Sequence, residues 1–120
     1  MPKLIRIAPE LPASNLPEAI EYYKQKLGFR VAMDMPERDY AIVERDQIAI
    51  HLFRDGAEEH SPVGIHIFTS DLDALYAEFR QRGAYLSQKI GRKPWGNRDF
   101  RLKDEFGNEL KFTEPITQGE

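Results

Sequence analysis

The hydrophobic positions form two helical stripes, each flanked by short alternating runs. In residues 14–29, SNLPEAIEYYKQKLGF, Leu16, Ala19, Ile20, Tyr23 and Leu27 recur at the spacing of one helical face. Asn15 is placed to cap this helix, with Glu18 as a capping-box partner. Pro17 falls in the first turn, where it removes no hydrogen bond, and Gly28 suits a left-handed helix end. Residues 70–85, SDLDALYAEFRQRGAY, repeat the plan with Leu72, Leu75, Tyr76 and Phe79, closing at Gly83.

The two stripes are copies. Ser14-Asn15-Leu16 matches Ser70-Asp71-Leu72, and Lys24-Gln25-Lys26 matches Arg80-Gln81-Arg82, at an offset of 56. Around the helices, alternation predicts strands over residues 3–8, 29–33, 40–44 and 47–53, then over 64–69, 85–90, 98–103 and 108–113. Arg45-Asp46 reads as a tight turn, and residues 104–107 as a hairpin turn with Gly107 at positive φ. Residues 39–52 lie over 99–112 at a constant offset of 60.

The expectation is an α+β fold of two βαβββ modules forming a curved mixed sheet with a concave cleft. The 120 residues make a single domain: module 1–54, a polar linker 55–62, module 63–115, and a short frayed tail. Pro9 and Pro12 interrupt sheet bonding after the first strand. That stretch is either a loop into the first helix or an extended arm reaching another subunit.

Strand parity separates a buried face from an open one. Ile48, Ile50 and Leu52 should face the helix, and so should Leu110 and Phe112. Ala49, His51 and Phe53, with Gly64, His66 and Phe68, and with Glu109, Lys111 and Thr113, then point into the concavity. Aromatic and polar groups together are what a small-molecule cleft needs. Singly, each is ambiguous: His51 and His66 read as hydrogen-bonded cleft residues or as ligands or bases. Glu109 and Lys111 read as a solvated pair or as functional groups. Trp95 reads as a lid or as a packed loop aromatic, and Arg98 as an anion site or a solvated cation.

A net charge of -3 argues against a dedicated nucleic-acid binder. The absence of cysteine excludes disulfides, thiol nucleophiles and Cys-based metal sites. No apolar run is long enough for a signal peptide or membrane span, so a cytoplasmic location is expected.

The duplicated plan, SNLPEAIEYYKQKLGF, and KPWGNRDFRLKDEFGNELKF over residues 93–112 together resemble the vicinal oxygen chelate (VOC) superfamily of glyoxalases, bleomycin-resistance proteins and dioxygenases. The resemblance spans nearly the whole chain. In family enzymes a divalent metal is held from the first and last strand of each module. Those positions fall on Ala8, His51, Gly64 and Lys111. Of these only His51 can coordinate, because Ala8 and Gly64 carry no donor and an ammonium group has no free lone pair. The metal site looks dismantled, as the bleomycin-resistance branch implies. IAPELPASN (residues 7–15) and YAIVERDQIAIHLF (residues 40–53) resemble that branch too.

The resemblance therefore implies a homodimeric protein, with its N-terminal arm exchanged, that sequesters a drug-like ligand for antibiotic resistance without cofactor or catalysis. Tyr40, Phe53, Phe68, Trp95 and Phe100 would supply aromatic contacts, and His51, His66 and Arg98 polar ones. The competing expectation is a divergent metal-dependent lyase, isomerase or dioxygenase using a divalent ion on His51, His66 and Glu109. A partner-binding domain with no small ligand is a third.

Overall fold

In chain order the elements are β1 (Glu10–Pro12), α1 (Leu16–Gln25), β2 (Arg30–Met35), β3 (Tyr40–Arg45), β4 (Ile48–Phe53), β5 (Gly64–Phe68), α2 (Leu72–Gln81), β6 (Leu86–Arg92), β7 (Arg98–Lys103) and β8 (Glu109–Thr113). A 3-10 turn, Pro36–Arg38, joins β2 to β3. The computed structural model describes residues 1–54 and 60–115. Most of the expected linker and all of the expected tail lie outside these residues.

Both helices start on side-chain caps. Asn15 Oδ1 accepts from the Glu18 N–H at 3.1 Å, and Asp71 Oδ1 from the Ala74 N–H at 3.0 Å. Each cap satisfies one of the free donors at a helix start. Gly28 and Gly83 follow the helix ends at φ 73° and 82°, which a residue with a Cβ adopts only with strain.

The strands form two four-stranded mixed sheets of the same topology, β1-β4-β3-β2 and β5-β8-β7-β6. In each, the strand before the helix runs parallel to the last strand, while the other pairs are antiparallel. The first strand differs from the expected one. Residues 3–8 are not in the sheet, and the strand is the proline-flanked Glu10–Pro12. Pro12 is tolerated because parallel pairing uses alternate N–H groups. Ala13 N donates to Phe53 O at 2.9 Å, so the nitrogen of Pro12 faces the free edge of the sheet. The apolar side chains of Leu4, Ile5 and Ile7 are left 104%, 89% and 93% exposed.

One core serves both halves. It takes Leu16, Ala19, Tyr23 and Leu27 from the first helical stripe, Leu72 and Phe79 from the second, and Ile50, Leu52, Leu110 and Phe112 from the inner faces of the last strands. Each helix also reaches the central hairpin of the other half. Tyr23 Oη donates to Asp104 Oδ2 at 2.8 Å, and Arg45 makes a paired bond with Glu78 at 2.7 and 2.8 Å.

Asp104 and Asn108 are the hub of the first of these contacts. Asp104 accepts from the backbone N–H groups of Phe106 and Asn108 through Oδ1, and from Asn108 Nδ2 through Oδ2. Asn108 Nδ2 also donates to Pro12 O at 2.9 Å, and Asn108 Oδ1 accepts from Val63 N at 3.0 Å. Tyr23 and Asn108 are fully buried and Asp104 nearly so, so these bonds answer the requirement that buried polar groups be paired.

Candidate functional site

Because both sheets turn one face to the shared core, both leave the other face outside it. Cross-strand partners share a face, so the register lists each open face directly. On the first sheet Glu10, Tyr40, Ile42, His51 and Phe53 lie together. On the second, His66, Phe68, Asp99, Arg101, Lys111 and Thr113 do. The parity expected for His51, Phe53, His66 and Phe68 is the parity observed.

The first open face is aromatic with one polar cluster. Tyr40 Oη lies 2.8 Å from Glu10 Oε2 and 2.6 Å from His51 Nδ1, and the Tyr40 and His51 rings meet edge to face with centroids 5.5 Å apart. Desolvation, then the hydrogen bond and charge of Glu10, raise the Tyr40 hydroxyl above the usual phenol value. Phe53 packs edge to face with His60 at 5.3 Å.

The second open face is ionic. Asp99, 2% exposed, meets Lys93 Nζ at 3.3 Å and Arg101 Nε at 3.2 Å, and Lys111 Nζ lies 3.8 Å from Glu109 Oε1. His66 stacks on Phe68, two residues along the same strand, with centroids 6.3 Å apart, and Phe68 is 56% exposed.

Two expected contact residues are elsewhere. Phe100 is fully buried, stacked on Phe112 at 5.3 Å on the core side of its sheet. The cause is a one-residue slip in the repeat. Ile42 lies opposite His51, but the residue opposite Lys111 is Arg101, which is 59 rather than 60 positions beyond Ile42. The β3–β4 loop is shorter than the β7–β8 loop, and a slip of one residue turns every side chain to the other face. Phe100, the sequence counterpart of Tyr40, therefore lands in the core. Arg98 is held on the core side of β7 by Asp73, at 2.9 and 3.2 Å, and by Glu114, at 3.2 Å. Its guanidinium draws both carboxyls below the usual range. Trp95 stands 68% exposed in the turn between β6 and β7.

The alternative metal set is divided. His51 belongs to the first sheet, His66 and Glu109 to the second. Among the described residues, no three His, Cys, Asp or Glu side chains come together to hold a metal ion. The family's metal positions do not fit one either. Glu10, not Ala8, is paired with His51, and Lys111 points its ammonium at Glu109.

Glu10 was not singled out from the sequence. It lies 56 residues before His66, so the internal repeat carried the signal. A cavity of about 540 Å³ opens between the β3–β4 turn and the β5–α2 connection, lined by Phe29, Ile48, Phe79, Thr69 and Ser70 among others. Of the expected contact residues, Phe68 lines it.

A family model described as the Glyoxalase/Bleomycin resistance protein/Dioxygenase superfamily matches residues 3–112. Among solved structures, TioX from Micromonospora sp. ML1 superposes with TM-score 0.82 at 22% identity, covering 93% of this chain and 99% of that one. A bleomycin-binding protein complexed with bleomycin superposes with TM-score 0.82 at 18% identity, covering 94% and 100%. Lactoylglutathione lyase from Agrobacterium tumefaciens gives 0.78 at 17% identity, covering 100% of each chain. At these identities the likeness is one of fold. No curated protein matches the sequence.

Proposed function

The chain belongs to the Glyoxalase/Bleomycin resistance protein/Dioxygenase superfamily, and from that premise we propose that it binds and sequesters a small drug-like molecule of the bleomycin type, without metal and without turnover. One observation carries this reading. Among the described residues no three His, Cys, Asp or Glu side chains come together: Glu10 and His51 share the open face of the first sheet, His66 lies on the second, and Lys111 beside it is turned to Glu109. A divalent ion needs about three or more oxygen or nitrogen ligands, which no such group supplies. The open faces keep the aromatic and hydrogen-bonding groups that planar ligands use. Phe53 and Phe68 would stack, and His51, His66 and Tyr40 would orient. Trp95, exposed at the entrance to β7, would close over the ligand.

Self-association belongs to the same reading. Met33 on the first sheet and Phe68 on the second, 44% and 56% exposed, together with the bare apolar arm of residues 4–7, are surfaces a second copy would cover. The cleft would then form where the aromatic face of one subunit meets the ionic face of its partner, and a cytoplasmic homodimer is the expected state. The fold itself accommodates both binders and enzymes, the lactoylglutathione lyase among them. A divergent metal enzyme is therefore the competing reading.

Isothermal titration calorimetry with bleomycin, run beside metal analysis of protein purified without chelator, separates the two. Binding heat with no stoichiometric metal supports sequestration. Stoichiometric zinc, nickel, manganese or iron that is lost on His51→Ala overturns it.

A further inference from the structure

The Tyr40 hydroxyl has one proton and two close neighbours, and that count determines the state of His51. Glu10 Oε2 lies at 2.8 Å and His51 Nδ1 at 2.6 Å. A carboxylate only accepts hydrogen bonds. Two oxygens 2.8 Å apart need a proton between them, and Glu10 has none to give, so Tyr40 must donate to Glu10. With its single proton committed there, Tyr40 can only accept at the second contact. His51 must then carry its hydrogen on Nδ1. The opposite assignment, Tyr40 donating to a bare Nδ1, leaves carboxylate and phenol lone pairs facing each other.

The surrounding elements hold this chain in place. Glu10 and His51 are register partners in parallel strands, and Tyr40 comes from the antiparallel neighbour, beside Phe53. All three side chains therefore share one face without a loop to position them. Among the described residues the His51 imidazole has Tyr40 as its hydrogen-bond partner, through Nδ1, so Nε2 is left without one.

We propose that Glu10 and Tyr40 are positioning residues that lock His51 in the Nδ1–H tautomer, so that the first open face presents Nε2 as a lone-pair acceptor to a ligand N–H or O–H group. The ligand class follows from the tautomer. A neutral molecule with a donor beside an aromatic ring would bond to Nε2 while its ring lies against Phe53. An acceptor-only analogue of the same shape would face a lone pair.

The tautomer part stands on geometry alone, whereas the ligand part rests on the open face being a binding site. The experiment separates them. Long-range 15N–1H NMR correlation on the unliganded protein, at a pH where the imidazole is neutral, reads the tautomer of His51 directly. A pure Nδ1–H pattern is expected. Tyr40→Phe and Glu10→Gln should each lose it and move toward the Nε2–H form that free histidine prefers, while Glu10→Asp should retain part of it. Well-dispersed amide spectra establish that each variant is folded. An Nε2–H pattern in the native protein, or a pattern unchanged in both Tyr40→Phe and Glu10→Gln, overturns the proposal. In a second arm phenol and anisole are titrated at millimolar concentration. The His51 Nε2 resonance should move several-fold more with phenol, and equal shifts overturn the donor preference while leaving the tautomer result standing.

Discussion

Removing one oxygen atom from the core tests how the two halves are held together. In Tyr23→Phe the ring stays. Its edge-to-face contacts with Tyr22 and Phe29, at 5.4 and 5.9 Å, are kept, and no cavity forms. What goes is the bond from Tyr23 Oη to Asp104 Oδ2, 2.8 Å long and fully buried. A buried hydrogen bond to a charged group is worth about 1.5–3 kcal/mol. Asp104 keeps its three other donors, from Phe106 N, Asn108 N and Asn108 Nδ2, which places the loss in the lower half of that range. For a chain of 120 residues this is a fall in Tm of roughly 6–10 °C.

Urea denaturation of the variant gives the free energy, and a cycle with Asp104→Ala isolates the pair. A coupling of about 1 kcal/mol or more is expected, because the residues touch. If the two changes add within about 0.5 kcal/mol, the bond does not join the halves, and the reasoning is refuted.

The same site sets alkaline behaviour. Burial raises the Tyr23 hydroxyl well above the usual phenol value, with Asp104 adding to it, and burial likewise raises Tyr22. A group raised on folding contributes stability that is fully present below the unfolded pKa and lost as pH rises through the folded one. Stability should thus fall above about pH 10, and Tyr23→Phe should flatten the fall. Glu78 is drawn down chiefly by its hydrogen bond to Arg45, so its contribution is present at neutral pH and lost as pH falls through its lowered value. Glu78→Gln should make acid unfolding shallower.

Phe53→Ala and Phe68→Ala should each weaken binding of a planar ligand by about 1 kcal/mol, roughly fivefold in Kd, with Tm little changed. Phe100→Ala should instead lower stability by about 3–5 kcal/mol, because it empties a core site. Deleting residues 1–8 should shift light-scattering mass from dimer toward monomer. Each of Leu4, Ile5 and Ile7 would contribute about 1.5–3 kcal/mol when covered, and an unchanged mass would show that the arm is not at the interface.

Much of this fold could be read from the chain because the signals are local. Asn15 caps the helix it was expected to cap, and Asp71, its counterpart in the repeat, caps the second, since a cap needs only the next three residues. His51, Phe53, His66 and Phe68 lie on the open face because alternation within a strand is a property of its backbone. Length, charge and the absence of cysteine narrowed the chemistry before any fold was known.

Other features depended on partners far away in sequence. Tyr23 meets Asp104 across 81 positions and Asn108 meets Pro12 across 96, separations at which no periodicity carries information. The first strand moved from residues 3–8 to Glu10–Pro12 because pairing with β4, not hydrophobicity, decides which segment is a strand. Phe100 went to the core and Arg98 to Asp73 and Glu114 because a difference in loop length slipped the register by one residue. Glu10 became the partner of Tyr40 and His51 for the same kind of reason. The chain by itself determined which residues share a strand or a helix face. Only the tertiary structure decided which strands lie side by side, and hence which side chains meet.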